Sequence, residues 1–206
     1  MAAVPLNAVV ASELVSVQSA EELVMYAREQ RARFGVAFAL SLIRKLATAL
    51  HEYHESQKPL ETCSAFERTQ LAQRVRAKVQ ARMLLKELGI WCYLAYTQGA
   101  DERFLNQAEW CLTRLCNTYG SDVEAEMYLA FTLWSKWNLR KAQPGDMKRC
   151  FTLLSHCTEA DPLAVSQLDV VWFRLGYLYQ VGAGCKKNKD AAQYCYAQAR
   201  QYGLDC

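Results

Sequence analysis

The chain has 206 residues, of which 52% are hydrophobic and 22% are charged, with a formal net charge of +3. These fractions exclude a wholly disordered chain, and the length suffices to bury a core without disulfides or metals. Only 9 glycines and 4 prolines are present, too few for an all-β fold with turns at short intervals. The small net charge does not by itself indicate a nucleic acid or a membrane surface as the partner.

The first residues lack the features of a secretory signal. Segment 1–17 is rich in Ala, Val and Ser, contains no Lys or Arg, and is interrupted by Glu13. A signal peptide has a positive start followed by an unbroken apolar run. No stretch approaches the ~20 apolar residues of a transmembrane helix. We therefore expect a loose tail at 1–17 and a cytoplasmic protein without membrane insertion.

Start and stop signals of helices recur along the chain. The capping pattern S-x-x-E, in which a serine and a glutamate satisfy backbone N–H groups, begins at Ser19, Ser64 and Ser121. Asp161 followed by Pro162 is a further start signal. Glycine follows three segments with helical periodicity, as is common after a helix C-terminus, at Gly99, Gly120 and Gly203.

These signals and the apolar spacing predict an all-α protein with short connections and no strand. The eight predicted helices span 20–33, 35–57, 65–89 (with an alternative end at 98), 101–119, 122–138, 146–159, 162–181 and 188–202.

The histidines and cysteines give a weak indication of chemistry. His51 and His54 share a helix face and, with Cys63, would form a metal-ligand set, whereas the simpler interpretation is a polar helix end. The 9 cysteines contain no C-x-x-C pair and lie mostly in apolar patterns, which predicts reduced thiols buried as small hydrophobic groups. A metal-dependent or cysteine enzyme is one alternative, but no catalytic motif supports it. We expect a non-catalytic protein with no cofactor and no small-molecule substrate.

A basic stripe runs along the predicted helix 65–89. Its four cations recur at intervals of four residues, at Arg74, Lys78, Arg82 and Lys86. Beside it an apolar stripe is predicted to dock on the rest of the protein, at Leu71, Val75, Val79 and Met83. Like charges at this spacing repel one another. The stripe is a solvated face balanced by acids elsewhere, a surface for an acidic protein, or a surface for nucleic acid. The last is less favoured, because the aromatic residues lie on other helices.

Aromatic residues are concentrated in the predicted helix 122–138. They recur at helical spacing, at Tyr128, Phe131, Trp134 and Trp137. Two interpretations remain open. The stripe belongs to the core, or part of it lines a groove in which tyrosine and tryptophan bind a partner.

The C-terminal segment contains a repeat-like pattern. Residues 175–185 read LGYLYQVGAGC. The residues that carry the pattern are Leu175, Gly176, Tyr179, Gly182, Gly184, Asn188, Ala192, Tyr196, Ala199 and Gly203. This segment resembles a Sel-like repeat, a relative of the tetratricopeptide repeat, in which L-G-x-L-Y-x-x-G-x-G-V is followed by a capping aspartate. Cys185 replaces the valine and Asn188 the aspartate. The resemblance covers about 168–203, is weak over 88–160, and is absent before that.

The resemblance implies an α-solenoid of helix hairpins. We expect a tail at 1–17, an N-terminal helical cap at 18–62 and a helical-repeat region at 63–206. The implied function is that of an adaptor, chaperone or regulatory scaffold in a larger bacterial assembly, which binds a partner segment in a groove. The basic stripe would attract an acidic part of that partner. A nucleic-acid-binding repeat protein is the other alternative.

Overall fold

A computed structural model describes residues 19–32, 35–56, 67–162 and 165–204 of the chain. The predicted tail, the capping pattern at Ser64 and the predicted boundary between residues 62 and 63 lie outside these residues. The described residues contain helices and no strand, so the predicted all-α class is confirmed for them. None of the helices among them has both the length and the apolar composition that crossing a bilayer requires.

The described residues form eight α-helices. They are α1 (Ala20–Glu29), α2 (Val36–Ser56), α3 (Glu67–Thr97), α4 (Arg103–Tyr119), α5 (Val123–Asn138), α6 (Asp146–Glu159), α7 (Leu168–Val181) and α8 (Lys189–Gln201), with a 3₁₀ turn at Gln30–Ala32 after α1.

Several helix ends lie where the sequence predicts them. Ser19 and Glu22 form the expected capping box at the start of α1. The Asn188 side chain accepts from the backbone N–H groups of Asp190 and Ala191 at the start of α8. The glycines predicted to follow α3, α4 and α8 all have positive φ.

Helix ends differ from the prediction at several positions, among them the starts of α5 and α7 and the end of α3. Asp122, not Ser121, caps α5 by accepting from the backbone N–H of Ala125. Helix α7 begins at Leu168 rather than at Pro162. Helix α3 continues through Gly89 to Thr97, which is the alternative end rather than the preferred one.

The described residues divide into two compact units, one extending to Cys111 and the other beginning at Leu112, so the division falls within α4. In the first unit, α2 packs along α3 and α1 contacts both. The buried face of α2 has the i, i+3, i+4, i+7 spacing of an amphipathic helix, at Ala39, Leu42, Ile43, Leu46 and Leu50. Phe38 of α2 contacts Trp91 of α3 edge to face, with ring centroids 5.8 Å apart.

Helix α5 is the most enclosed element of the second unit. Residues 125–133 are buried without interruption, as expected for a helix covered on several sides. Helix α6 packs along α5, α8 packs along α7, and α7 also contacts α6. Cys150 and Cys157 of α6 are both buried, with their thiols directed at backbone carbonyls of α5. The second unit is thus a series of neighbouring helices with shared apolar contacts.

Two glycines permit close contacts in this unit. A Cβ atom on Gly176 of α7 would lie 2.9 Å from the Tyr196 ring of α8, as the predicted close approach of these helices requires. Gly184, in the loop after α7, has a φ of +77°, and a Cβ atom there would lie 2.1 Å from the carbonyl oxygen of Met147. The loop therefore rests directly on the backbone at the start of α6.

Candidate functional site

A cluster of three partly exposed aromatic rings joins α5 to α7. Trp134 and Trp137 lie three residues apart on α5, beyond its fully buried part, and Tyr177 comes from α7. The ring centroids are 5.6 Å apart for the two tryptophans, and the Tyr177 ring lies 5.4 Å from Trp134 and 6.1 Å from Trp137. All three pairs meet edge to face, the arrangement that aromatic quadrupoles favour. We call these three residues the aromatic cluster.

One member of the predicted partner-binding stripe does not belong to this surface. Tyr128 is only 4% exposed, and its hydroxyl accepts a hydrogen bond from Gln167 Nε2 at 3.4 Å. Its ring also packs against buried Phe131. Tyr128 is therefore not part of the accessible surface, because it lies about 1.7 turns closer to the enclosed half of α5 than Trp134 does.

Arg174 lies beside the aromatic cluster, one turn before Tyr177 on α7. Its guanidinium carbon is 4.0 Å from the centroid of the Phe131 ring and 5.5 Å from that of Trp134. Its Nη1 atom is buried and has no hydrogen-bond partner among the described residues, although the side chain as a whole is partly exposed. The site therefore combines aromatic rings with a cation whose N–H groups are not all satisfied.

The cations of the basic stripe are less uniform than predicted. Lys78 is exposed, whereas Arg82 and Lys86 are partly exposed and take part in interactions within the protein. The side chain of Arg74 lies outside the described part of the chain. The stripe is thus accessible at Lys78 and partly accessible at the next two positions.

Of the apolar stripe predicted beside it, the side chains of Leu71 and Val75 lie outside the described part of the chain, Met83 is partly exposed, and the prediction is wrong in register at Val79. Val79 is 51% exposed, while the buried face of α3 is formed one to two residues further on, at Ala81, Leu84, Leu85 and Leu88. The physical reason is that a strict spacing of four residues drifts around a helix with 3.6 residues per turn, whereas the buried set alternates spacings of three, one and three.

An ion-paired carboxylate lies next to that buried face. Glu87 of α3 is fully buried, and its oxygens accept from Arg28 Nε at 2.9 Å and from Arg31 Nη2 at 2.6 Å. These pairs join the end of α1 and the following 3₁₀ turn to the middle of α3. Because the negative charge is matched by two guanidinium groups, this cluster is expected to be structural.

The seven cysteines described as free thiols include five that are buried. Burial raises the pKa of Cys116 and of Cys195 to about 11, and that of Cys150 and of Cys157 to about 12. A nucleophilic cysteine needs the opposite shift, because the thiolate is the reactive form. These thiols therefore behave as small hydrophobic groups, which confirms the prediction at the buried positions.

The histidines are not brought together in the described residues. His156 of α6 pairs with the buried carboxylate of Glu126 on α5, and this hydrogen bond raises the histidine pKa above its ordinary value of 6.5. His51 is exposed, while the His54 side chain and Cys63 lie outside the described part of the chain. Within that part no group of three His, Cys, Asp or Glu residues is placed to hold a metal ion.

Sequence reasoning missed Arg174 and Tyr177 as site residues. A signal for Arg174 exists, because it is the single cation of segment 168–181, which is otherwise almost entirely apolar and aromatic. A charge in such a helix needs a local reason. Tyr177 has no comparable signal, since its position is also compatible with a helix core.

Comparisons of the chain with protein-family models, with curated proteins and with solved structures give no match. The Sel-like resemblance therefore rests on residues 168–203 themselves and stays a prediction.

Proposed function

We propose that this chain is a non-catalytic protein-interaction module whose second unit binds a segment of another protein. We interpret α5–α6 and α7–α8 as two successive hairpins of the Sel-like or tetratricopeptide-like kind, stacked as in a solenoid. The support for this is the packing of each helix on its neighbour, together with the close approach of α7 and α8 at Gly176. Stacked hairpins offer an extended surface to a partner.

The observation that carries the proposal is the aromatic cluster. Trp134, Trp137 and Tyr177 are partly exposed although they contact one another. Tryptophan and tyrosine dominate the binding energy of protein interfaces, because each buries a large rigid surface and loses little side-chain entropy. The rings already order one another before a partner arrives, which lowers the entropic cost of binding.

A second part of the proposal concerns the basic stripe of α3. We propose that Lys78, Arg82 and Lys86, with Arg74 preceding them, attract an acidic region of the partner. Exposed cations accelerate association through long-range attraction that salt weakens. An adaptor, chaperone or regulatory scaffold in a cytoplasmic, bacterial assembly fits such a surface. This context is an analogy with the Sel-like family.

Selection of a displayed library of random twelve-residue peptides on the purified protein tests the proposal. We expect enriched peptides whose affinity, measured by fluorescence polarisation, falls about 30-fold in Trp137→Ala, because truncating an interface tryptophan costs roughly 2 kcal/mol. The matched control is Trp110→Ala on α4, since Trp110 is 52% exposed and belongs to the first unit. Replacing the four stripe cations with Glu should slow association and flatten its salt dependence.

Three results would contradict the proposal. The first is that no peptide is enriched over an unrelated protein. The second is that peptides bind Trp137→Ala as tightly as the unchanged protein while circular dichroism shows both folded. The third, which concerns the stripe alone, is an unchanged association rate in the four-Glu variant.

A further inference from the structure

Arg174 has an incomplete set of partners. Its guanidinium lies over the Phe131 ring at 4.0 Å and near the Trp134 ring at 5.5 Å, and it makes no ion pair with the described residues. The neighbouring thiol of Cys150 provides no charge, because burial raises its pKa to about 12. Arg174 therefore carries a positive charge in a partly buried position, and the described part of the chain supplies no anion to balance it.

The rings satisfy the guanidinium only in part. Aromatic faces attract the cation from above and below its plane, whereas its N–H groups point outward within that plane. Carboxylate oxygens approach in this same plane and accept two parallel hydrogen bonds. Nη1 is buried and closed to an outside ligand, whereas Nε and Nη2 are not among the buried atoms and have no acceptor among the described residues, so a carboxylate arriving from outside would pair with that edge of the guanidinium.

Arg174, which lacks an acceptor, lies next to the proposed binding surface. Arg174 and Tyr177 are three residues apart on α7 and thus share a helix face. Trp134 contacts both the guanidinium and the Tyr177 ring. A partner that satisfies Arg174 therefore meets the aromatic cluster at the same time.

We propose that the second unit recognises a protein segment in which an Asp or Glu side chain pairs with Arg174 while an adjacent large apolar side chain packs on the aromatic cluster. This inference rests on the proposed function, because it names the chemistry of the partner at that same surface. A peptide is favoured over a nucleic acid here, since one cation beside three rings offers little for a chain of phosphates.

An array of synthetic twelve-residue peptides provides the test. Each peptide carries one Leu or Trp and one Glu, separated by one to four positions in a Gly/Ser background, and a matched array carries Gln in place of Glu. We expect the unchanged protein to bind the best Glu peptides about tenfold more tightly than their Gln counterparts, as a charge-assisted bidentate pair implies. Arg174→Met should lose this preference and keep its binding to the Gln peptides.

Two control variants separate the possible failures. Arg200→Met removes an exposed arginine from α8 of the same unit and should leave the tenfold preference intact. If Arg200→Met loses as much preference as Arg174→Met, net charge explains the effect and the inference is overturned. If Trp137→Ala abolishes binding while Arg174→Met keeps the preference, the proposed function stands and the inference fails.

Two further results would overturn one or both proposals. Binding of neither array by the unchanged protein, or binding that Trp137→Ala leaves unaffected, overturns both proposals. Tighter binding of an oligothymidylate of twelve nucleotides than of any peptide, with loss of that binding in Arg174→Met, assigns the surface to nucleic acid and overturns the inference.

Discussion

One charged side chain in each unit, Glu87 in the first and Arg174 in the second, is partnered in a different way. The first unit buries the Glu87 carboxylate completely and pairs it with Arg28 and Arg31, which connects segments more than fifty residues apart. The second unit places Arg174 on aromatic rings and gives it no carboxylate among the described residues. The second unit also has two close approaches at glycine, of Gly176 on α7 to the Tyr196 ring and of Gly184 in the following loop to the Met147 backbone.

The difference in partners indicates which of the two charges serves the fold and which is available for binding. A buried charge with all its partners in the same chain serves the fold, because removing a partner leaves an uncompensated charge. A partly buried charge without a partner contributes little to the fold and is a candidate for binding. The first unit should therefore depend for its stability on its ion pairs, and the second on its close contacts at glycine.

The largest expected effect belongs to the backbone contact in the second unit. Gly184→Ala places a Cβ atom 2.1 Å from the Met147 carbonyl oxygen and requires alanine at a φ of +77°. We expect the free energy of unfolding to fall by at least about 3 kcal/mol, from left-handed strain and from displacement of the loop. Urea unfolding followed by circular dichroism measures the loss.

Gly120→Ala is the matched control for this prediction. Gly120 also has a positive φ, of +85°, but nothing lies within 4 Å of its Cβ position. We expect a loss of only about 1 kcal/mol there, from backbone strain alone. Equal losses at the two glycines would show that the contact between the loop and α6 contributes nothing to stability.

The same substitution at one arginine of each unit tests the comparison directly. Arg31→Met leaves the buried Glu87 carboxylate with one of its two arginines and should cost about 3 kcal/mol of unfolding free energy. Arg174→Met removes a cation that has no carboxylate partner, so the lost cation–π attraction and the relieved desolvation nearly offset each other. We expect a change below about 0.5 kcal/mol in that variant.

A double substitution tests whether the unpaired charge of Glu87 causes the loss of stability in Arg31→Met. Adding Glu87→Gln to Arg31→Met removes the unpaired charge and should recover part of the lost stability, as measured by a double-mutant cycle in urea. A loss at Arg174→Met as large as that at Arg31→Met would remove the distinction between the two units.

The helices were predictable from sequence because their signals are local. Apolar periodicity and caps such as those at Ser19 and Asn188 depend on residues within one turn. The start of α7 was missed because Asp161 and Pro162 form a favourable local start, whereas the helix begins after Gln167, which makes no side-chain cap. Ser121 and Asp122 are adjacent capping residues, and the sequence does not say which of them is extended.

The site was only partly predictable, because its members are defined by contacts between helices. Periodicity placed Trp134, Trp137 and Tyr128 on one stripe, but the neighbours that bury Tyr128 and leave the tryptophans partly exposed come from other segments. The pairing of Glu87 with residues near position 30 has no local signature. The lack of an acceptor for Arg174 Nη1 depends on the positions of rings from another helix, which the sequence does not give.

The smallest expected effect concerns the ion pair of His156 with Glu126 in the second unit, which depends on pH. The hydrogen bond to Glu126 raises the His156 pKa in the folded protein above its ordinary value of 6.5, so the folded state binds the proton more tightly than the unfolded state does. The stabilisation is therefore fully present below pH 6.5 and is lost as the pH rises through the raised pKa. His156 has 47% of its side chain exposed, so solvent screening limits the gain to about 0.5 kcal/mol.

A comparison of His156→Gln with the unchanged protein measures this contribution, since glutamine keeps a neutral hydrogen-bond donor near Glu126. The difference in unfolding free energy should be present at about pH 5.5 and absent at about pH 9. Glu159→Gln, which removes a weaker influence on the histidine, should leave most of that pH dependence in place. A difference that stays constant over this range would mean that the second unit gains nothing from the charge on His156.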